Sequence, residues 1–163
     1  MSAIRPYDLD LIRKSFEVAK KARDGGDHPF GSVLGDETGA LLMEQGNGYS
    51  AEGGDRTAHA ERLLASRAAK AYPLEKLAKM TLYTSAEPCA MCAGAMMHAR
   101  LTRVVYGAAD PKTGACGSIV NLFVEEKLNH HTAVTGGVLS DECSSMLSSF
   151  FAERRLQSRT QKA

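Results

Sequence analysis

Two short segments carry most of the chemistry of this sequence: TAHAE at residues 57–61 and EPCAMC at residues 87–92. A proline favours the first turn of a helix, and cysteines three positions apart in a helix lie on one face. The positive end of that helix also favours their thiolate forms. Cys89 and Cys92 therefore make half of a zinc site, and His59 is the best candidate for a third ligand.

Each of these signals has an ordinary interpretation as well. A C-x-x-C pair also occurs in redox sites and in structural zinc sites, and a single histidine at a helix start is commonly an ordinary surface or core residue. A structural zinc site, however, needs four protein ligands. We expect His98 to point away from the metal, and the spacing of the other histidines recommends none of them. Three ligands without a fourth predict an open, catalytic site with one Zn²⁺ per chain.

Glu61 strengthens the catalytic interpretation. It lies two residues after His59, and side chains in the first turn of a helix can project past its end toward a shared cavity. A carboxylate there can take a proton from a water that zinc activates and then pass it to a leaving group. Glu61 is therefore the predicted catalytic residue.

The periodicity of apolar residues predicts helices alternating with strands. We expect helices over residues 8–23, 58–71 (with Thr57 as N-cap), 89–99 and 140 to about 157, and strands over residues 30–36, 40–46, 80–85, 102–108 and 131–138. This order predicts an α/β fold, a three-layer α/β/α sandwich with a mixed central sheet of about five strands. The length of 163 residues predicts a single domain over residues 1–163.

The composition excludes several classes of protein. With 44% hydrophobic and 24% charged residues, the chain is neither disordered nor fibrous. It contains no apolar run long enough to span a membrane and no signal-peptide pattern, so we expect a cytoplasmic protein with no membrane partner. The net charge of +1 gives no support to nonspecific nucleic-acid binding. The remaining cysteines, Cys116 and Cys143, are expected to be buried thiols.

The combination of H-A-E with P-C-x-x-C is the zinc signature of nucleobase deaminases, and with it the chain resembles the cytidine deaminase superfamily. More closely it resembles the bacterial tRNA adenosine deaminases. That resemblance runs from about Arg13 to Arg155 and includes residues 92–96, 103–108, 110–115, 128–131, 136–139, 142–143 and 150–155.

The resemblance implies roles for the central residues of the site. It implies that His59, Cys89 and Cys92 hold zinc and that Glu61 is the proton shuttle. It also implies that Asn47 hydrogen-bonds the edge of the base, although the spacing alone favours a turn for an asparagine between two glycines.

Further roles follow from the same resemblance. Backbone groups near Ala60 and Glu87 are expected to bind the base, and Asp110 and Lys112 belong to a loop that meets the nucleotides around it. Arg154 and Arg155 either reach phosphates or form a solvated helix end. Relatives of this kind are homodimers, and the sequence offers the Met96-Met97 end of its helix as a candidate dimer face.

The N-terminal half departs from this pattern. Phe30, within HPFGS at residues 28–32, stands where the tRNA enzymes usually have a small aliphatic residue. A Pro-Phe-Gly sequence at this place is more similar to that of the guanine and nucleoside deaminases. The expected function is hydrolytic deamination of adenosine to inosine at the tRNA wobble position. The alternative is a free nucleobase or nucleoside substrate such as guanine, guanosine or cytosine. More remote alternatives are a non-catalytic, zinc-stabilised RNA-binding module and a redox role for the cysteine pair.

Overall fold

The computed structural model describes residues 3–162 as five strands and five α-helices, with one short 3₁₀ turn. The strands are β1 (Gly31–Gly35), β2 (Leu41–Gly46), β3 (Thr81–Ala86), β4 (Arg103–Ala108) and β5 (Ala133–Thr135). The helices are α1 (Asp8–Asp24), α2 (Ala60–Ala71), α3 (Leu74–Leu77), α4 (Ala90–His98) and α5 (Ser140–Gln161), and the 3₁₀ turn covers Leu122–Val124. Among the described helices, none combines the length and hydropathy that a bilayer crossing requires.

The five strands form one mixed sheet in the order β2-β1-β3-β4-β5. Strand β1 is antiparallel to both β2 and β3, whereas β3, β4 and β5 run parallel. The pairs Ser32↔Thr84 and Ala86↔Ala108 set the register at one edge. At this edge the carboxyl ends of β3 and β4 meet the start of β1, which is where open α/β sheets commonly bind ligands.

Helices cover both faces of this sheet because neighbouring strand residues point in opposite directions. Leu34, Leu82 and Val104 pack under α2 and α4, in a core that also contains Leu64 and Met96. Their sequence neighbours Val33, Tyr83 and Val105 pack under α1 and α5, together with Ile12 and Cys143. The predicted three-layer α/β/α sandwich with a mixed five-stranded sheet is confirmed.

The start of α2 differs from the prediction in a way that matters for the site. The helix begins at Ala60, and the residue before it is His59 rather than Thr57. Thr57 is not the cap because its hydroxyl and its backbone N–H both donate to the Asp55 carboxylate in a preceding turn. His59 therefore occupies the extended position at the helix end, free of any capping bond from its own ring.

The observed ends of two other elements also differ from the predicted ones. The last strand stops at Thr135 because Gly136 lies against the ring of Tyr106 and Gly137 has a positive φ of 77°. Helix α5 continues to Gln161, and the short helix α3 was not predicted. Neither α3 nor the added end of α5 lines the cavity described below.

A buried ion pair fastens the start of α1 to the sheet. Both carboxylate oxygens of Asp8 accept from the guanidinium of Arg103, at 2.9 and 2.7 Å, and one also accepts from the hydroxyl of Tyr83 at 2.8 Å. Burial raises the pKa of Asp8, but these bonds and the N–H of Arg5 outweigh it, so the net pKa is lowered.

The two remaining cysteines are separate from the zinc motif. Cys143 is fully buried under β4, as expected, and burial raises its thiol pKa to about 11. Cys116 is only half-buried, which departs from the expectation, and burial raises its pKa to about 12. Neither forms a disulfide.

Candidate active site

The N-terminal ends of α2 and α4 meet at the carboxyl edge of β3 and β4. His59 immediately precedes α2, and Cys89 immediately precedes α4 in the same extended conformation. Cys92 follows in the first turn of α4 and is fully buried. The positive ends of two helix dipoles therefore face the same point, which favours anionic thiolates there.

The three side chains fit a zinc ion. Nδ1 of His59 lies 3.7 Å from Sγ of Cys89 and 3.6 Å from Sγ of Cys92. Tetrahedral zinc with ordinary Zn–S and Zn–N bonds places sulfur and nitrogen about 3.6 Å apart. Among residues 3–162, one group of three or more His, Cys, Asp or Glu side chains has its ligand atoms within 4.8 Å of one another, and it consists of His59, Cys89 and Cys92. Three protein ligands match a catalytic zinc site, which keeps one coordination position for water or substrate.

The two sulfurs titrate as a pair. A hydrogen bond from Cys92 lowers the pKa of Cys89 to about 4, and a hydrogen bond and the charge of His59 lower it as well. The same bond, together with burial, raises the pKa of Cys92. A thiolate is thus already favoured at Cys89, the sulfur at the helix end.

Glu61 projects from the first turn of α2 into the same space, as the sequence predicted. Its side chain is almost wholly buried, and burial raises the pKa of its carboxyl group. Oε1 accepts a hydrogen bond from the Thr84 hydroxyl at 2.8 Å. Oε2 lies 3.6 Å from Sγ of Cys92, on the side of the three ligands. The carboxylate is therefore held in one orientation beside the metal-binding group.

A cavity of about 240 Å³ opens above these residues. Its lining is formed by His28, Phe30, Asn47, His59, Glu61, Ala86, Glu87, Cys89, Asp110 and Thr113. Seven of the ten residues predicted to hold the metal, catalyse the reaction or contact the substrate are among them. The other three do not line the cavity: Cys92 and Ala60 are fully buried beneath its surface, and Lys112 is exposed on its loop.

Asn47 and Phe30 form one wall of the cavity. Asn47 closes a turn, because its Oδ1 accepts the N–H of Tyr49 at 3.0 Å, and the residue also lines the cavity. Its backbone N–H donates to the carbonyl of Phe30 at 3.0 Å. The ring of Phe30 contacts Phe151 of α5, with centroids 6.1 Å apart.

Glu87 holds the opposite wall through its side chain, a role that the sequence did not reveal. Its carboxylate accepts the backbone N–H groups of Asp110, Cys116 and Ser118 and the hydroxyl of Ser118. Burial raises the pKa of Glu87, but these four donors outweigh it and the net pKa is lowered. The loop over residues 110–118 is thereby fixed to the turn that carries Cys89.

Asp110 and Thr113 are the part of that loop that reaches the cavity. Asp110 accepts the N–H groups of Lys112 and Thr113 and the Thr113 hydroxyl, so its carboxylate is mainly occupied with shaping the loop. Thr113 was not singled out in the sequence, since nothing in its spacing distinguishes it.

His28 is the other cavity residue that sequence reasoning missed. It was set aside because its spacing does not suit a metal ligand, although its position two residues before Phe30 could have drawn attention to it. Its Nδ1 lies 3.3 Å from a guanidinium nitrogen of Arg154 on α5. Arg154 and Arg155 are both exposed on that helix.

Comparison with known proteins decides the family. Residues 6–108 match the model for the cytidine and deoxycytidylate deaminase zinc-binding region. The chain belongs to this deaminase family. Together with the three-ligand group and Glu61, membership makes it a zinc-dependent deaminase, a hydrolase, and the resemblance seen in the sequence is confirmed.

Individual members of the deaminase family show further similarity. The tRNA-specific adenosine deaminase of Haemophilus influenzae is 43% identical over 157 residues, which cover 96% of this chain and 90% of that protein. A solved structure from a study of A-to-I editing by tRNA:A34 deaminases has a TM-score of 0.74 at 34% identity, covering 88% of this chain and all of the other. Guanine deaminase from Bacillus subtilis has a TM-score of 0.54 at 35% identity, covering 61% and 63% of the two chains.

Proposed function

We propose that this deaminase converts adenosine to inosine at the wobble position of a tRNA anticodon loop. The observation that carries the chemistry is the buried Glu61 carboxylate beside a three-ligand zinc group, at the base of a cavity of about 240 Å³. The choice of tRNA is supported by the 43% identity to a tRNA-specific adenosine deaminase over nearly the whole chain.

His59, Cys89 and Cys92 would hold the zinc ion. When bound, zinc supplies Lewis-acid chemistry that makes water a nucleophile near neutral pH. The two thiolates and the neutral imidazole are held at the required separations by the ends of α2 and α4.

Glu61 moves the proton. Oε2 faces the metal-binding group, so it takes a proton from water as the oxygen attacks the amine-bearing carbon of the base. The same carboxyl group then delivers that proton to the departing nitrogen. A C–O bond forms and the C–N bond breaks, so the base and water become the carbonyl product and ammonia. Proton transfer of this kind contributes about 10²–10⁴-fold to the rate.

The base is held between two walls. The Nδ2 group of Asn47 donates no hydrogen bond within residues 3–162 and is available to the base edge. In this proposal, Phe30 packs against the ring of the substrate base, and backbone groups at Ala60 and Glu87 make the remaining contacts with the base. Asp110 shapes the adjoining loop, while Lys112 and Arg155, both exposed, meet the surrounding RNA.

A free base is the second candidate substrate. Phe30 is braced by Phe151 and narrows the cavity on one side. The 35% identity to a guanine deaminase over 61% of the chain favours the same candidate. A cavity of about 240 Å³ would suit the base of guanine, guanosine or cytosine, with the sugar of guanosine lying outside it.

A mass-spectrometric deamination screen tests the proposal. Zinc-loaded protein is incubated with an anticodon stem-loop carrying a wobble adenosine, and separately with guanine, guanosine, cytosine and adenosine. We expect amine-to-carbonyl conversion in the stem-loop alone. Conversion of a free base with the stem-loop unconverted would replace the proposal by the second candidate.

A substitution tests the role of Glu61. Glu61→Gln should retain the fold and the zinc ion while the turnover rate falls by at least about 100-fold. Glu75→Gln, at an exposed position, is the matched control.

The proposed assembly is a homodimer. The candidate face at Met96 and Met97 is wrong, because both side chains are buried in the chain's own core. Exposed apolar residues lie instead on α4 and in the loop after β4, whose 3₁₀ turn contacts α4: Met91, Ile119, Val120 and Val124. Because water-exposed clusters of this kind commonly mark interfaces, a second copy of the chain is the proposed occupant.

Sedimentation analysis of the zinc-loaded protein tests the dimer. Ile119→Glu should shift it to monomer, while Leu156→Glu, at an equally exposed site on α5, should leave it unchanged. A wild-type monomer would refute the assignment. We also propose that residues 1–163 form a single domain, in which α5 packs on α1 and β4. A cytoplasmic location is proposed as well, because it would suit a tRNA substrate.

A further inference from the structure

His28 lies where the base cavity meets a neighbouring groove. The groove has a volume of about 390 Å³ and shares three residues with the cavity: His28, Asn47 and His59. His59 belongs to the metal-binding group, and Asn47 is assigned to the base. His28 is thus the junction residue without an assigned role.

The size of the cavity determines what passes this junction. At about 240 Å³ it is below the range of roughly 300–1,000 Å³ that encloses a whole drug-sized molecule, so it holds a base without its sugar and phosphates. The adjoining groove offers space for the sugar and phosphates of a nucleotide, and His28 borders both spaces. This step rests on the proposed function.

Arg154 determines which ring nitrogen of His28 carries the proton. A guanidinium group only donates hydrogen bonds, so Nδ1 of His28, 3.3 Å from Nη1 of Arg154, must accept. The ring proton then lies on Nε2. His28 consequently presents an N–H donor to whatever occupies the junction.

Contacts along α5 hold Arg154 within reach of His28. Phe151, one turn earlier, packs against Phe30, and its neighbour Phe150 lies under the guanidinium of Arg23 at 4.2 Å. Arg23 also pairs with Glu153 at 2.8 Å. The end of α5 is thereby fixed against α1 beside the cavity.

We propose that His28 is a specificity-determining residue that donates a hydrogen bond from Nε2 to an oxygen of the target nucleotide's sugar or adjoining phosphate. Arg154 is its positioning residue. The pair makes the enzyme bind a base that carries its sugar-phosphate more tightly than the free base.

Steady-state kinetics with the zinc-loaded enzyme and the wobble-adenosine stem-loop test this. His28→Ala should raise KM about 10-fold, as expected for one hydrogen bond, with kcat nearly unchanged. Arg154→Ala should raise KM by less, and the double variant should be no worse than His28→Ala. His28→Gln, which keeps a donor near the Nε2 position, should restore part of the loss. The Ki of free adenine as a competitor should not change in any variant.

Matched controls separate this effect from general damage. His131→Ala and Arg159→Ala remove exposed side chains of the same types and should leave KM unchanged. Zinc content and thermal unfolding of each variant show that the fold is intact.

Modified substrates distinguish the two possible acceptors. A 2′-deoxy target nucleotide abolishes the His28 effect if the ribose hydroxyl is the acceptor, and an adjoining methylphosphonate does so if the phosphate is. An undiminished His28 effect with both substrates would overturn the inference.

The result also separates this inference from the proposed function. An unchanged KM in His28→Ala, with wild-type enzyme active on the stem-loop, overturns the role of His28 alone. If the wild-type enzyme does not deaminate the stem-loop, the proposed function fails, and the test is repeated with guanosine in place of the stem-loop and guanine in place of adenine. In that case, a His28→Ala variant whose KM rises for guanosine but not for guanine supports the role of His28. An enzyme that deaminates guanine but not guanosine overturns it.

Discussion

The carboxyl group of Glu87 occupies the space beside Gly114 that a side chain there would need. An ideal Cβ on residue 114 would lie 2.3 Å from the carboxyl carbon of Glu87, well inside van der Waals contact. The same carboxylate accepts four hydrogen bonds from residues 110–118. The residue two positions before the first metal-binding cysteine therefore shapes the loop that forms the far wall of the cavity.

Gly114→Ala should separate Glu87 from this loop. We expect a loss of about 1–3 kcal/mol in the free energy of unfolding, the usual cost of overpacking, and a higher KM because Asp110 and Thr113 shift. Urea unfolding and steady-state kinetics measure the two effects. Gly94→Ala is the control, because nothing lies within 4 Å of a Cβ on Gly94 and alanine favours a helix. Equal stability of the two variants would contradict this account.

Thr84→Val should slow catalysis without changing the fold. The substitution keeps the shape of the side chain but removes the hydroxyl that donates to Oε1 of Glu61. Because a hydrogen bond to a charged group is worth roughly 1.5–3 kcal/mol, we expect kcat to fall about 10-fold or more with KM little changed. Thr102→Val, whose hydroxyl donates to the carbonyl of Ala78 at 2.7 Å, is the comparison. A kcat equal to that of wild type would show that Thr84 does not orient the carboxylate.

Zinc should depend on Cys92 and not on Cys116. Cys92→Ser should lower zinc affinity by more than about 100-fold, since even residues that only support metal ligands are worth 10–100-fold. Cys116→Ser should retain zinc, because that residue contacts Glu87 through its backbone N–H. Elemental analysis after dialysis against a chelator gives both results. Chelation of the wild-type enzyme should abolish turnover and leave the circular dichroism spectrum intact; retained zinc in Cys92→Ser would rule out the proposed ligand set.

Asp8→Asn should destabilise the protein in a pH-dependent way. Breaking the buried pair with Arg103 is expected to cost about 3–5 kcal/mol. The pKa of Asp8 is lowered in the folded state, so its contribution is complete above the unfolded value of about 3.9 and is lost as the pH falls through the lower folded value. The stability difference between wild type and variant should therefore be constant from pH 7 to about pH 5 and shrink below about pH 4.

Urea unfolding at several pH values measures this difference. Glu142→Gln breaks the exposed pair with Arg13 and should cost at most about 1 kcal/mol. A stability difference for Asp8→Asn that grows toward acid pH would show that the sign is wrong.

The residues that could be predicted share a local origin. His59, Glu61, Cys89 and Cys92 lie at the starts of two helices, where spacing along the chain fixes which way a side chain projects. The order of helices and strands follows equally from local periodicity and predicts the mixed sheet. The family signature depends on the same short segments.

The sequence by itself determined the fold class, the metal-binding group and the reaction type, because each depends on neighbours within a few residues. Only the tertiary structure decided that Glu87 acts through its carboxylate, that Lys112 lies outside the cavity and that Met96 and Met97 are internal. The contact between His28 and Arg154 joins residues 126 positions apart. No periodicity encodes such a pair, since it arises from the packing of α5 against α1 and the cavity wall.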